Sequence, residues 1–192
     1  MTELDKKKEL ILAHELEFAN ALGAAVFEKP KVSFWMILVP LLFLYFIHRM
    51  QTYKNGRIKF NEDFMDTRRR ALECAVETLN ASDLLEAKPV VCQAGLLDRL
   101  EKRYAAWLEV LVDHYRDLLA ADGDDFDTLT RKAYHTRTNY LLTLNRLNTV
   151  EKEYYAALKP QLDGTEGTAD IIAIIEKESQ RLRRDLAEQV FG

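Results

Sequence analysis

The stretch LDRLEKRYAAWLEVLVDHYRDLL, residues 97–119, repeats large side chains at alternating steps of three and four: Leu97, Leu100, Tyr104, Trp107, Leu111, His114 and Leu118. That spacing keeps every member on one side of a 3.6-residue helix, a heptad-like seam that has to bury itself against other helices. His114 is the odd member. An imidazole in such a seam is either a proton-linked switch or a half-buried ring bonded to a tyrosine or a carboxylate.

Working outward, the seam predicts a helix over 90–121, closed by ADGDD with Gly123 available for a left-handed turn. The next helix opens at Asp124 or Asp125 and runs unbroken to 158, a rod of about 50 Å at 1.5 Å per residue. Its inner face carries Phe126, Leu129, Ala133, Tyr140, Leu144, Leu147, Val150 and Tyr154. Pro160 and QLDGTEGT end it. A last helix capped by Thr168 carries Ile171, Ile172, Ile175, Leu182, Leu186 and Val190. Upstream, 51–59 reads as a polar connector with Gly56 in a turn. Asn61 then caps a helix over 61–79, with Glu62 and Asp63 in its first turn and Phe60 stapled to Met65. Asp83 with Glu86 opens a short turn that Pro89 ends. No alternating Val/Ile/Thr pattern bounded by hairpin turns occurs, so strands have no support.

These stripes predict an all-α protein: an N-terminal amphipathic helix (1–29), a short membrane segment (30–53), and an elongated antiparallel bundle of about four helices (54–192). The 192-residue chain is 48% hydrophobic and 30% charged, the balance of a folded protein. A formal charge of −4 argues against nucleic acid as a partner. Cys74 and Cys92 lack CxxC spacing, which fits two thiols in a reducing compartment better than a zinc site; a bridge between them is the competing reading.

The membrane reading rests on SFWMILVPLLFLYFIHRM, residues 33–50. Residues 32–47 are apolar except Ser33 and would span roughly 24 Å as a helix, against a hydrocarbon core of roughly 30 Å. Trp35 marks one end, Tyr45 and His48 the other. Lys29, Lys31, Arg49, Lys54, Arg57 and Lys59 flank the run, as headgroup-level cations do. The expected anchor residues are Trp35, Met36, Pro40, Leu41, Phe43, Tyr45 and Phe46; a soluble core helix is the competing reading. Pro40 allows either a kinked span or the apex of a re-entrant dip. The cation bias places the C-terminal part in the cytoplasm, at the cell inner membrane. No small-x-small cleavage site follows the run, so a removed signal peptide is not expected.

The N-terminal helix starts at Thr2, with Glu3 and Asp5 in its first turn. Ala19 with Gly23, and Ala21 with Ala25, form small-xxx-small pairs that let helices approach closely. They suit packing against the anchor or another copy; the alternative is a helix lying on the membrane surface or on the bundle. The TRRR run at 67–70 reads as contact with anionic lipid or as a solvated face.

Catalytic signatures are missing. His14–Glu15 resembles the start of HExxH, but Phe18 stands where the second histidine belongs. His14, His48, His114 and His135 follow Ile11, Tyr45, Leu111 and Lys132 at three residues' distance, so the Glu-x-x-His pattern of di-iron bundles is not met. No phosphate-cradling glycine loop occurs. The expectation is a non-enzyme without metal or cofactor and without an identifiable small-molecule substrate: a membrane-anchored helical scaffold or accessory subunit. Its partners would be membrane lipid and other protein subunits or itself, with Tyr154, Tyr155 and the terminal EQVFG as spare surface. A signalling relay, coupling the anchor helix to a coiled-coil-like bundle, is the alternative.

Overall fold

The computed structural model describes residues 2–27, 40–80, 98–161 and 168–192. Among them are six α-helices and no strand: α1 (Glu3–Val26), α2 (Pro40–Asn80), α3 (Asp98–Ala120), α4 (Phe126–Tyr134), α5 (Arg137–Leu158) and α6 (Thr168–Phe191), with a 3-10 turn at Lys159–Gln161. No described helix is long and apolar enough to cross a membrane. Lys29, Lys31, Trp35, Met36, Asp83, Glu86, Pro89, Cys92 and Leu97 lie outside the described residues. So do the side chains of Pro40, Leu41, Phe43, Tyr45, Phe46, Arg49 and Lys54.

α1 begins with a capping box, in which Thr2 Oγ1 accepts from Asp5 N–H (3.1 Å) and Asp5 Oδ2 accepts from Thr2 N–H (2.8 Å). Of its small residues, Gly23 lies against Phe60 and Asn61 of α2 and Ala19 is fully buried, whereas Ala21 is exposed. α1 therefore packs among the bundle helices, the last of the placements open to it.

α2 departs most from expectation. Residues 51–59 are helical, not a connector, and the helix continues unbroken over 41 residues, about 60 Å. Gly56 serves a close approach rather than a turn, because a Cβ there would lie 2.6 Å from the Phe27 ring. Asn61 does not cap; it donates to Asn20 Oδ1 across the α1–α2 interface (2.7 Å). Phe60 packs near Phe64 and Phe27.

α3 is buried over more than a seam. Leu108, Val110, Tyr115 and Leu119 join Leu100, Trp107, Leu111, His114 and Leu118 inside. The widened stripe lets α3 touch α1, α2, α4 and α5 together, which is the packing of a central bundle helix rather than of a coiled-coil hairpin.

The expected 124–158 rod is broken. α4 ends at His135, whose φ of 61° turns the chain. Thr136 caps α5 by accepting from Asn139 N–H (3.2 Å). Asp125 caps α4 in the same way, accepting from Thr128 N–H (2.7 Å). Gly123 is not in the left-handed region. Its missing Cβ instead makes room for the Leu129 amide, 2.9 Å from where that atom would stand.

Within the terminal EQVFG, Val190 and Phe191 belong to the core, while Glu188, Gln189 and Gly192 are exposed. Val190 is buried, Phe191 packs on Tyr140 at 5.9 Å, and Arg131 Nη1 donates to the Val190 carbonyl (3.0 Å). Tyr154 and Tyr155 pack around Trp107, at 5.2 and 6.3 Å between ring centroids.

The cross-links set the directions. Asn20–Asn61 and Glu15–Arg68 run α1 against α2, while Lys7–Leu119 and Glu15–Tyr115 run α1 against α3. Asp113–Arg146 and Arg103–Glu153 run α3 against α5, and Asn148–Arg183 and Arg137–Glu188 run α5 against α6. So α2, α3 and α6 share one sense and α1 and α5 the other. The neighbours α2 and α3 are parallel, a departure from the expected antiparallel bundle.

Non-glycine residues with positive φ store roughly 1–3 kcal/mol of strain. His135→Gly should therefore stabilise the fold by about 1 kcal/mol, read as a rise of a few degrees in thermal midpoint by circular dichroism.

Candidate functional site: a buried charge network

Six polar side chains from the five long helices meet inside the bundle. Arg68 of α2 donates from Nε to Glu15 of α1 (3.2 Å) and from Nη2 to Glu151 of α5 (3.0 Å). Arg183 of α6 donates to Glu151 and to Asn148 Oδ1, each at 2.5 Å. The Tyr115 hydroxyl of α3 donates to Glu15 at 2.7 Å. Arg68 is 1% exposed, Arg183 4% and Glu151 5%.

Burial of ions is tolerated only where each charge has partners, because desolvation costs several kcal/mol per ion. Here two guanidiniums face two carboxylates, so the charges cancel. Burial works to raise the Glu15 carboxyl, yet Arg68, His14 and the Tyr115 hydroxyl hold it below its ordinary value. Burial likewise opposes ionisation of Glu151, and Arg183 and Arg68 override it. Both carboxyls thus stay ionised at neutral pH. The arginines also lie over rings, Arg68 at 4.2 Å from Phe64 and 5.3 Å from Trp107, and Arg183 at 5.4 Å from Phe18. Arg68 Nη1 and Trp107 Nε1 are buried without a hydrogen-bond partner, a residual strain in an otherwise satisfied cluster.

His114 lies beside this network. Its Nδ1 shares a 2.5 Å hydrogen bond with the Tyr134 hydroxyl, the plainer of its two sequence readings. Burial pushes its pKa down to about 4, against the pull of Glu15. His14 stacks face to face on Phe126 at 3.6 Å, and burial lowers it too. Glu15, Arg68, His114, Tyr140 and Arg183 line a cavity of about 20 Å³, the room of a single water. No described group of three or more His, Cys, Asp or Glu side chains is placed to hold a metal ion.

The seam residues Leu100, Trp107, Leu111, His114 and Leu118 and the inner residues Tyr140, Leu144 and Leu147 of α5 are all buried. Tyr104 and Tyr154 are half-buried at the network's edge, 5.8 Å apart. Of the expected headgroup cations, Arg57 donates to the Asn20 carbonyl (3.3 Å) and Lys59 pairs with Asp63 (3.5 Å). The TRRR expectation fails for its first arginine. Arg68 is buried among ion partners, while Arg69 and Arg70 are exposed. The burial of Glu15, Arg68, Tyr115, Glu151 and Arg183 escaped the sequence reading because each stands in a charged neighbourhood resembling a solvated face. Helical phase was the available signal, since Arg68 shares a face with Phe64, Leu72 and Ala75.

No protein-family model, curated protein or solved structure matches this chain.

Glu151 is the only carboxylate touching Arg183 in this cluster, whereas both carboxylates keep a partner when Arg68 is removed. Glu151→Leu should therefore cost about 3–5 kcal/mol in urea denaturation and Arg68→Met clearly less; equal losses would contradict this accounting. Between pH 6.5 and about 4 the unfolded chain protonates His114 while the folded chain resists. Stability should then fall by roughly 2–3 kcal/mol from pH 7.5 to 4.5. Glu15 and Glu151 contribute above their unfolded values and lose that contribution only at lower pH. His114→Gln should remove the larger part of the slope, read from urea midpoints across that range.

Proposed function

We propose that the protein is a non-catalytic helical scaffold or accessory subunit, tethered through residues 30–53 to the cell inner membrane, with its bundle on the cytoplasmic side. The observation that carries the reading is the continuity of α2, which begins within the apolar run at Pro40 and reaches Asn80 among the bundle helices. A helix has no free joint along its length, so whatever fixes its first turns also sets the position of the bundle. The interior fits that reading. Its charged groups neutralise one another, and its cavity has room for about one water. Tethering in two dimensions raises the effective concentration of any protein subunit the bundle meets, so a modest contact suffices for assembly. The same continuity favours the relay as second reading, because displacement at the apolar end is delivered into the Arg68 pairs.

Fractionation of the full-length chain tests the anchor. It should sediment with membranes after detergent-free lysis and stay there through an alkaline carbonate wash. A monodisperse protein left in the supernatant would overturn the proposal. Scaffold and relay separate by native mass in mild detergent: the scaffold holds a constant complement of subunits, whereas the relay changes its assembly with its signalling state.

A further inference from the structure

The chain leaves the bundle for the apolar run, and comes back from it, at one place. Phe27, just beyond α1, lies so close to α2 that a Cβ on Gly56 would stand 2.6 Å from its ring. From that point down, α1 stays with the bundle. Asn20 accepts from Asn61 (2.7 Å), Glu15 meets Arg68 and Tyr115, and Lys7 donates to the Leu119 carbonyl (3.3 Å). Ile11, Ala19 and Leu22 of α1 are fully buried. Residues before and after the run therefore stand on the same face of any membrane the run enters.

We propose that the tether is a monotopic insertion, which enters and leaves the membrane on the bundle's own face and reaches only the nearer leaflet. This rests on the membrane tether of the proposed function and specifies its form. A single crossing would carry α1 to the far side, parting Glu15 from Arg68 and from the Tyr115 hydroxyl. Crossing and returning takes two helices of about 20 residues each, and only residues 28–55 separate Phe27 from Gly56. An insertion that turns back within one leaflet meets both conditions.

Lengths along α2 agree. Counted from the layer of Glu15, Arg68, Glu151 and Arg183, α1, α5 and α6 rise about 10–23 Å toward this end, whereas α2 rises about 42 Å. Residues 48–55 of α2 are mostly polar and cover about 12 Å, enough to pass the headgroup layer. Residues 40–47 are apolar and cover about 12 Å, against roughly 15 Å of hydrocarbon in one leaflet. Pro40 is the first residue of α2, a position where the missing N–H has no intrahelical partner to lose. It opens the helix instead of kinking a span. Of the four exposed large apolar side chains among the described residues, Ile58 and Ile171 stand at this end, about 15–18 Å above the charged layer.

Protease-cleavable tags at the two ends of the full chain test it. Both should be removed from inverted inner-membrane vesicles, and both should be retained on intact spheroplasts. Loss of the N-terminal tag alone from intact spheroplasts would overturn the insertion and leave the tether standing. Chain recovered in the supernatant would sink both. Should the tags disturb α1, the untagged double variant Asn20→Cys with Asn61→Cys decides. A short bismaleimide should join the two cysteines in the membrane-bound chain, read as a linked peptide by mass spectrometry. Absence of that peptide would count against the proposal outright.

Discussion

Placing a guanidinium in the interior is the constraint around which this bundle is arranged. Arg68 is 1% exposed, and a cation so placed demands carboxylates at fixed positions. They come from α1 and α5, helices distant in the chain, and each is held by a further residue on α3 or α6. The apolar contacts around them are tolerant of small slips, as leucine faces generally are. The charged contacts are not, because a slip of one residue would turn Arg68 some 100° away from both partners. Hydrophobic burial drives the helices together, and the ion pairs select one alignment.

That division explains why the interior is polar without resembling an active site. Both carboxyls are held ionised by guanidiniums, and His114 is kept neutral by burial with Tyr134 on its Nδ1. The small cavity lies where the charged side chains and the Tyr140 and Leu144 layer fail to fill the space between α1 and α6. Rings occupy what the ions leave open: Phe64 and Trp107 around Arg68, Phe18 over Arg183, and Phe126 over His14. The ions are therefore set among aromatic rings, inside a core whose other described buried residues are mostly aliphatic.

Much of the secondary structure could be read from residues 97–119 and their neighbours, because amphipathic period and caps are local properties. The Thr2 and Asp125 caps, the buried face of α3 and the inner residues of α5 follow from that period. The break at His135 carried only a faint signal, Thr136 followed by Asn139 as a cap. Propensity favoured carrying the helix through, and nothing local announces a positive φ on a histidine. The 51–59 segment misled in the opposite sense. Gly56 and Asn61 are ordinary turn and cap residues, but here both face α1, where Gly56 makes room for Phe27 and Asn61 bonds Asn20.

Sequence by itself determined that the chain is helical, where most apolar stripes lie, and that its most apolar stretch stands next to the helix carrying Arg68. These are properties of spacing and composition within one or two turns. Only tertiary structure decided which charged residues go inside, that α2 and α3 run parallel, and that 51–80 is one helix with the apolar end of α2. An arginine is buried or solvated according to what arrives from elsewhere in the chain. Glu15 and Glu151 are far from Arg68 in sequence, and no local pattern encodes their meeting.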